Sequence, residues 1–143
     1  MKFTDGYWHM RAGVTPHFPV QVHEVEVEPE ALTVYGATKR LADRGATLNL
    51  PLMTIRFSSP MPNVIRVQLV HHKGRQPRKP EFELQPQPAP AVEIHDDAQA
   101  ATLTSGQLTV RVEKAGDWRI DFKEGQRVIT SSGWHGMGII ETA

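Results

Sequence analysis

Residues 53–58 read MTIRFS, and this short stretch decides the fold class. Apolar Met53, Ile55 and Phe57 alternate with polar residues, so that one side of an extended chain is apolar and the other is polar. Because successive side chains of a β-strand point to opposite faces, this alternation predicts a strand that covers a core. An amphipathic helix would need apolar residues three and four positions apart instead.

The same alternation recurs twice further along the chain. Residues 108–113 (LTVRVE) and 118–123 (WRIDFK) each place apolar residues at every second position. Residues 114–117 (KAGD), which separate these runs, have the length and composition of a hairpin turn. The two runs are therefore predicted to form antiparallel strands, with Trp118 on the core face.

Other segments have β-type composition with interruptions. Between residues 20 and 28 the apolar positions change parity, which indicates a strand that is either buried on both faces or bulged. Pro29-Glu30 ends that strand, and β-type composition resumes over residues 32–38. Two prolines in segment 59–63 are predicted to exclude regular pairing there. Further strands are predicted at residues 65–69, 92–95, 101–104, 127–130 and, as a strand start, 139–143.

Helical signals are weak by comparison. The best window, residues 37–44, would form two turns at most before Gly45. Segment 73–90 contains five prolines and is predicted to be a long extended surface loop. We therefore predict an all-β fold, an antiparallel β-sandwich with very little helix, formed by residues 1–143 as a single domain.

Composition narrows the class of protein. Sixteen Lys and Arg residues balance 16 Asp and Glu residues, whereas proteins that follow a nucleic-acid backbone usually carry a basic excess. No segment approaches the roughly 20 apolar residues that span a bilayer. Neither nucleic acid nor membrane is therefore expected as a partner. Cysteine is absent, and residues 1–8 carry an acid and a glycine where a secretory signal needs apolar residues, so we expect a cytoplasmic protein.

The chain's seven histidines raise the question of a metal site. His71 and His72 are neighbours on a predicted strand end and would point to opposite faces. Residues 95–97 (HDD) offer hard ligands, although a polar turn is the simpler interpretation. His23-Glu24 lacks the second histidine of a helical zinc motif. We predict no metal and no cofactor.

The glycine and serine motifs also have simple structural interpretations. Gly133, Gly136 and Gly138 reverse the order of the dinucleotide-binding fingerprint and predict a flexible turn. No G-x-S-x-G pentapeptide occurs, so Ser105-Gly106 predicts a hairpin turn rather than a nucleophile.

Charged and aromatic residues outside the predicted core are candidate binding groups. The basic segment 73–79 lies among prolines, with Phe82 as its aromatic neighbour, and reads as a solvated loop. Glu24, Glu26 and Glu28 (residues 24–28) are predicted to mark the wet face of a strand. Trp8 and Trp134 lie in irregular contexts and could stack on sugars.

An ordered series of short motifs, beyond these single features, runs along the chain. In chain order it comprises residues 5–8 (DGYW), 19–26 (PVQVHEVE), 34–35 (VY), Arg44, 51–60 (PLMTIRFSSP), 66–67 (RV), His71 with Gly74, 105–108 (SGQL), 111–114 (RVEK), Trp118, 121–122 (DF) and 129–132 (ITSS). In this order and at these spacings the sequence resembles the N-terminal domain of glycoside hydrolase family 31, nearest to the bacterial α-xylosidase branch.

The resemblance implies a β-supersandwich like that of galactose mutarotase, followed in the longer enzyme by a (β/α)₈ catalytic barrel. The family mechanism that it implies is retaining hydrolysis, in which two carboxylates about 5–5.5 Å apart act as nucleophile and as acid and base. Both carboxylates would belong to the barrel, which needs about 250 residues of its own. We therefore assign no catalytic, cofactor-binding or metal-binding residue to this chain.

The resemblance thus predicts a non-catalytic module of a longer α-xylosidase or α-glucosidase. Such a module would pack on its own catalytic barrel, help to shape the substrate entrance and meet the carbohydrate substrate indirectly. One alternative is a free-standing carbohydrate-binding sandwich that uses Trp8 or Trp134, and another is an interaction sandwich with no sugar role. The strand start at residues 139–143 predicts more structure downstream, and exposed apolar surface there predicts that the isolated chain forms homo-oligomers.

Overall fold

The computed structural model describes residues 10–48, 50–70, 88 and 90–142. A 3-10 helix at Arg44–Thr47 is the one helical element in this part of the chain. The strands are β1 (Val14–His17), β2 (Gln21–Glu28), β3 (Ala31–Ala37), β4 (Leu52–Met61), β5 (Val64–Val70), β6 (Glu93–Asp96), β7 (Ala100–Ser105), β8 (Leu108–Glu113), β9 (Ile120–Glu124), β10 (Arg127–Ser132) and β11 (Ile139–Thr142). The predicted all-β class is confirmed. The described segments include no helix with the length and apolarity needed to cross a bilayer.

The strands form two stacked antiparallel sheets and a small ribbon. One sheet has the order β2-β3-β4-β5, the other has the order β10-β9-β8-β7-β6, and β1 pairs with β11. The sheets pack face to face, with β3 and β4 against β7 and β5 against β8. This arrangement confirms the predicted antiparallel sandwich.

The core lies between the two sheets, as the alternation predicts. Met53, Ile55 and Phe57 of β4 are fully buried. Complete burial of a side chain of this size stabilises the fold by about 1.5–3 kcal/mol relative to exposure. The residues that enclose them are Leu32 and Val34 of the same sheet and Leu103, Val110, Val112, Trp118 and Ile120 from the opposite sheet and its connection.

A β-bulge explains the change of parity in β2. Val22 pairs with Gly36 and Val25 pairs with Val34, and the register shifts between Val22 and Glu24. The extra residue, His23, lets both valines pack against the core although their spacing in sequence is odd. Of the two alternatives for this strand, the bulge is confirmed.

The prediction for segment 59–63 was partly wrong. Strand β4 continues through Ser59 and Pro60 to Met61, and the register with β5 shifts between Ser58 and Met61 before pairing resumes at Val64. A bulge accommodates Pro60, which has no N–H to donate to the ladder. Asn63, with φ 62°, occupies the turn.

Two other predictions concern connecting segments. The weak helical window at residues 37–44 forms no α-helix, since Ala37 ends β3 and the residues that follow are irregular until Arg44. The predicted loop at 73–90 lies outside the described residues except for Pro88 and Pro90.

The connections differ in length between the two ends of the sandwich. We call one end the turn end, because tight two-residue turns join its strands at residues 29–30, 62–63, 106–107 and 125–126. We call the other the loop end, where the described connections are residues 18–20, 38–51, 97–99, 114–119 and 133–138. The longer segments, and with them most of the irregular backbone, therefore gather at the loop end.

Side-chain hydrogen bonds join the two sheets at the turn end. The buried hydroxyl oxygens of Ser59 and Ser105 lie 2.7 Å apart. Ser59 Oγ also lies 2.8 Å from Met61 O and 2.9 Å from Val64 O. Because one hydroxyl carries one proton, Ser59 donates to a carbonyl and Ser105 donates to Ser59. Asn63 Oδ1 accepts from the N–H of Gln107 at 2.7 Å, which adds a second link between the sheets.

We predict a measurable coupling energy across this serine pair. Ser59→Ala and Ser105→Ala should each lower the free energy of unfolding by about 1–2 kcal/mol, because each leaves a buried polar group without its partner. The double variant should lose less than the sum, by about 0.5 kcal/mol or more, in urea denaturation.

The half-buried hydroxyls of Thr104 and Thr109, 2.9 Å apart on neighbouring strands, supply a matched cycle. Their coupling should be smaller, since water can replace the lost partner. Strictly additive losses at Ser59 and Ser105 would contradict the assignment.

Asp121 is a buried carboxylate on the outer face of the five-stranded sheet. It is 7% exposed. It accepts hydrogen bonds from Arg119 Nε at 3.0 Å and Ser131 Oγ at 2.6 Å. Burial raises the pKa of Asp121, but the hydrogen bonds from Ser131 and Arg119 outweigh burial, so the pKa lies below its usual value. The ionised carboxylate is thus the form that the fold stabilises.

This assignment predicts an acid-sensitive contribution to stability. Since the folded-state pKa lies below the unfolded value, the stabilisation is present above the unfolded value and disappears as the pH falls through the folded pKa. Asp121→Asn should lower the free energy of unfolding at pH 7 by about 1 kcal/mol, a modest value because Arg119 is largely exposed. The variant should also lose less stability than the original chain between pH 7 and pH 3 in denaturant titrations. Parallel pH curves for the two proteins would count against this role.

Candidate functional site

A groove of about 500 Å³ opens at the loop end of the sandwich. Four separate connections, residues 18–20, 38–51, 114–119 and 133–138, supply its walls. Its volume falls within the range of about 300–1,000 Å³ that is usual for small-molecule sites. We call it the loop-end groove, and its described lining consists of Pro19, Val20, Lys39, Arg40, Asp117, Trp118 and Trp134.

Trp118 forms the apolar floor of the groove. Only 3% of this residue is exposed, which confirms its predicted place in the core. Its backbone N–H donates to Val20 O at 2.9 Å, and the N–H of Val20 donates to Ala37 O at 2.8 Å. These two bonds tie the β8–β9 connection of one sheet to β2 and β3 of the other.

Gly36 makes the close packing of the floor possible. A Cβ at this position would lie 2.9 Å from Pro19 Cβ and 3.2 Å from Trp118 Cζ3. The indole Nε1 of Trp118 is buried and has no hydrogen-bond partner among the described residues. The floor is therefore a buried aromatic side chain that is held by the shape of its surroundings rather than by described side-chain hydrogen bonds.

Charged side chains form one rim of the groove. A guanidinium nitrogen of Arg40 donates to Asp117 Oδ1, and the two side chains are 62% and 84% exposed. An ion pair this exposed contributes about 0–1 kcal/mol, so exchanging it for other polar contacts costs little. The segment that carries Arg40 is held by the N–H of Leu41, which donates to Gln21 Oε1 at 3.3 Å. Lys39 adds a further cation to the same rim.

Three neighbouring rings, those of Trp134, His135 and Phe18, contact one another beside the groove, and Trp134 lines it. Trp134 is 69% exposed. Its ring centroid lies 3.7 Å from that of His135, and the His135 centroid lies 4.0 Å from that of Phe18. His135 has φ 64°, in the left-handed region that residues other than glycine seldom adopt. This backbone conformation accompanies the placement of the imidazole between the other two rings.

The β1–β11 ribbon supports these rings from the side. His17 Nε2 lies 3.1 Å from Glu141 Oε2 across the ribbon. A Cβ at Gly138 would lie 2.6 Å from Phe18 Cδ1 and 2.7 Å from His17 O, so this position requires glycine. The glycine-rich turn is thus a tight structural element beside the groove.

The carboxylates of the groove decide whether its described lining has the groups that a glycosidase uses. Asp117 is the one carboxylate among the described residues that line it. Retaining hydrolysis needs two carboxyl groups about 5–5.5 Å apart, and inverting hydrolysis needs two about 6.5–9.5 Å apart. Within the described ranges, no group of three or more His, Asp or Glu residues is placed to hold a metal ion. The described lining therefore lacks the pair of carboxylates that either route of hydrolysis requires.

Several residues singled out from the sequence lie in turns or in the bulge of β2. Residues 95–97 lead into a turn in which Asp97 Oδ1 accepts from the N–H groups of Gln99 and Ala100. Hydrogen bonds from Ala100 and then Gln99 lower the pKa of Asp97. His23 occupies the bulge of β2, Ser105-Gly106 leads into a hairpin turn, and Gly136 donates to Gly133 O within the glycine-rich turn.

The three glutamates of β2 were predicted to mark a wet face, and the prediction is confirmed for Glu24 and Glu26, which are exposed. Glu26 accepts from the Tyr35 hydroxyl at 2.9 Å. Glu28 is half-buried and accepts from Arg56 at 2.7 Å. The face is polar, and Glu26 and Glu28 form hydrogen bonds with neighbouring strands on it.

Sequence reasoning found one residue of the groove rim and missed the rest. Trp134 lies in the groove as a candidate for stacking, whereas Trp8, His71, His72 and the basic segment 73–79 with Phe82 lie outside the described residues. Arg40 and Asp117 were not singled out, because they are 77 positions apart in sequence and only the fold brings them together. Phe18 and His135 were missed for the same reason.

Comparison with known proteins shows what the chain is similar to. Residues 54–139, more than half of the chain, match the family described as "Glycosyl hydrolase 31 N-terminal galactose mutarotase-like domain". The chain is 33% identical over 133 residues to "Alpha-xylosidase XylQ" of Lactiplantibacillus pentosus, covering 92% of this chain and 17% of that protein. It is 30% identical over 115 residues to "Alpha-xylosidase" of Emericella nidulans, covering 80% of this chain and 15% of that protein. The chain thus spans about a sixth of the length of these relatives.

The contacts at the groove floor predict unequal effects of two glycine substitutions. Gly36→Ala should lower the free energy of unfolding by about 1–3 kcal/mol, because the added methyl group collides with Pro19 and Trp118. It should also change the near-ultraviolet circular dichroism of the tryptophans. Gly133→Ala is the matched control, since nothing lies within 4 Å of its added Cβ. Equal stability of the two variants in urea denaturation would contradict the packing described.

Proposed function

This chain belongs to the glycosyl hydrolase 31 N-terminal galactose mutarotase-like domain family, and from that premise we propose that it is the non-catalytic N-terminal module of a longer α-xylosidase. The observation that carries the proposal is the coverage of the relatives. A match to 92% of this chain spans only 17% of a protein named as an α-xylosidase. The greater part of such an enzyme therefore has no counterpart in these residues.

The chemistry of the described residues supports a non-catalytic role. The loop-end groove offers a single carboxylate, Asp117, which is paired with Arg40 and largely exposed. Both routes of glycoside hydrolysis use a pair of carboxylates. Among the described lining residues Asp117 has no second carboxylate beside it. In this proposal the bond-breaking carboxylates belong to the rest of the enzyme.

Exposed apolar side chains support packing against a further domain. Because β5 lies over β8, the five-stranded sheet extends beyond the four-stranded sheet at β9 and β10. Val64 and Val67 of β5 and Val128 and Ile129 of β10 are between 39% and 52% exposed. All four lie on the strands that border this extension, and exposed large apolar side chains are typical of surfaces that a partner covers. We propose that the catalytic part of the same polypeptide covers this side and that the module helps to shape the substrate entrance.

The proposal assigns two further properties that rest on composition. With no cysteine and balanced charge, the protein is proposed to work in the cytoplasm without nucleic-acid or membrane partners. Self-association of the isolated module follows from the same uncovered apolar side and is part of this proposal.

Hydrolysis assays on the isolated chain and on the full-length gene product test the assignment. The full-length protein should hydrolyse p-nitrophenyl α-D-xyloside, whereas the 143-residue chain should give no turnover above the blank, because its described groove lacks a carboxylate pair. Assays on p-nitrophenyl α-D-glucoside would show whether the enzyme prefers xylosyl or glucosyl substrates.

Asp117→Asn in the full-length protein tests whether the one described carboxylate of the groove takes part in the cleavage. Loss of a catalytic carboxylate lowers kcat by orders of magnitude, so the variant should retain hydrolysis within a few-fold. Turnover by the isolated chain, or loss of activity in this variant, would reject the proposal.

A further inference from the structure

We propose that the rest of the longer polypeptide adds a β-strand to the four-stranded sheet, along the free edge of β5. The inference rests on the proposed function, which supplies the longer polypeptide. The added strand pairs with the backbone of β5 and places its apolar side chains against β9 and β10. A segment that fits this position is extended and carries apolar residues at every second position.

The two sheets are offset, so the core side of the sandwich is open beyond β5. β5 packs over β8, and the five-stranded sheet continues with β9 and β10. In one row of paired residues, Val110 of β8 is fully buried, Phe122 of β9 is half-buried and Thr130 of β10 is exposed. Paired residues have their side chains on the same side of a sheet. The described strands of the four-stranded sheet therefore stop short of covering β9 and β10.

A row across the four-stranded sheet ends in the same way. Leu32, Phe57 and Val67 are paired in turn across β3, β4 and β5. The first two are fully buried, whereas Val67 is 39% exposed although it lies on the same core side. A further strand beside β5 would complete the burial of this valine.

A groove of about 270 Å³ lies at the turn end of this opening. Its described lining combines Asn63, from the β4–β5 turn, with residues of the five-stranded sheet that include Leu108 and Ile129. Glu124 and Arg127 also line it, and Glu124 Oε2 accepts from Arg127 at 2.7 Å, so these two charges are paired with each other. The groove therefore offers apolar side chains between the two sheets to a segment that alternates apolar and polar residues.

The outer strands of the two sheets differ in their protection against further pairing. Proteins protect an unpaired sheet edge with bulges, charged residues or short strands. β2 and β10 are bulged, and β6 has four residues with an acid at each end. β5 has seven residues, VIRVQLV, in which Arg66 is the one charged residue. In the described part of the chain no strand pairs with the outer edge of β5, so this edge is long, apolar and open.

The lengths of the relatives favour the same polypeptide as the source of the strand. The matched residues make up 17% of one α-xylosidase and 15% of the other, so most of each relative lies outside the match. A segment of the same polypeptide reaches the edge at a high effective concentration, because it is covalently connected. Addition of an extended segment to an exposed edge is a common mode of recognition, in which backbone hydrogen bonds supply affinity. A second copy of the chain lacks the advantage of connection.

Backbone amide exchange tests the pairing directly. The 143-residue chain, diluted until light scattering shows a monomer, is compared with the full-length protein by mass spectrometry at single-residue resolution. Every second amide of residues 64–70 should exchange about tenfold or more slowly in the full-length protein, because antiparallel pairing protects alternate N–H groups of an edge strand. The amides of residues 24–28 in β2 should exchange at the same rate in both proteins.

Two matched valine substitutions separate pairing at β5 from general effects on stability. Val67 pairs with buried Phe57 and is 39% exposed. Val27 of β2, the outer strand at the other edge of the same sheet, pairs with buried Leu32 and is 50% exposed. Val67→Lys in the full-length protein should return the β5 amides to the exchange rate of the isolated chain, since an inward-pointing charge blocks strand addition. Val27→Lys should leave β5 exchange slow.

Exchange in the unaltered proteins is decisive even where a variant fails to fold. Equal exchange of the β5 amides in the two proteins would overturn the proposal, and so would slowing without the alternate pattern, which indicates packing without pairing. Slow exchange that arises when the isolated chain is concentrated, and is absent from the full-length protein, would assign the edge to a second copy and overturn it as well.

The hydrolysis assay on the full-length protein is measured separately and distinguishes the two proposals. Turnover of p-nitrophenyl α-D-xyloside without protection of β5 would reject the strand addition alone. Protection of β5 without turnover would reject the α-xylosidase assignment and leave the strand addition standing.

Discussion

Mutual burial of two apolar faces is the constraint on which the rest of the structure depends. Met53, Ile55 and Phe57 on one sheet lie against Leu103, Val110 and Val112 on the other, all without exposed surface. Because one side of each strand is committed to this contact, charged and hydroxyl side chains occupy the outer faces. Asp121 shows the consequence, since its carboxylate is buried on an outer face only by accepting bonds from Arg119 and Ser131. Residues that do not follow the alternation lie at the two ends of the sandwich, in the connections between strands.

The fold was predictable from sequence to the extent that this alternation is local. The runs at residues 53–58 and 108–113 lie within the observed strands β4 and β8. The change of parity between residues 20 and 28 corresponds to the bulge in β2. Segment 59–63 was predicted less well, because proline composition alone does not show that a bulge can carry Pro60 through a paired strand. Within the bulge, the buried hydroxyl of Ser59 donates to a carbonyl such as Met61 O and also contacts Ser105 of the opposite sheet.

The candidate site was largely unpredictable from sequence for a different physical reason. Its parts come from four connections, and the pair formed by Arg40 and Asp117 joins residues 77 positions apart. No period or motif relates such residues, since only the stacking of the sheets sets their distance. Trp134 was noticed because it lies outside any alternating run, but its stacking on His135 depends on a left-handed backbone that composition does not reveal. Local pattern therefore predicts the scaffold, and long-range packing makes the site.

The two ends of the sandwich differ in the length of their connections and in the contacts that hold them. At the turn end, short turns and the Ser59–Ser105 contact leave the backbone little freedom, and the two sheets are held in fixed register. At the loop end, the bond from Trp118 to Val20 fixes the floor while the rims consist of side chains in solvent. The loop end therefore combines a buried floor with exposed polar and aromatic side chains. Asp117 belongs to this exposed rim and is the one carboxylate among the described residues of the groove, whereas glycoside hydrolysis uses a pair.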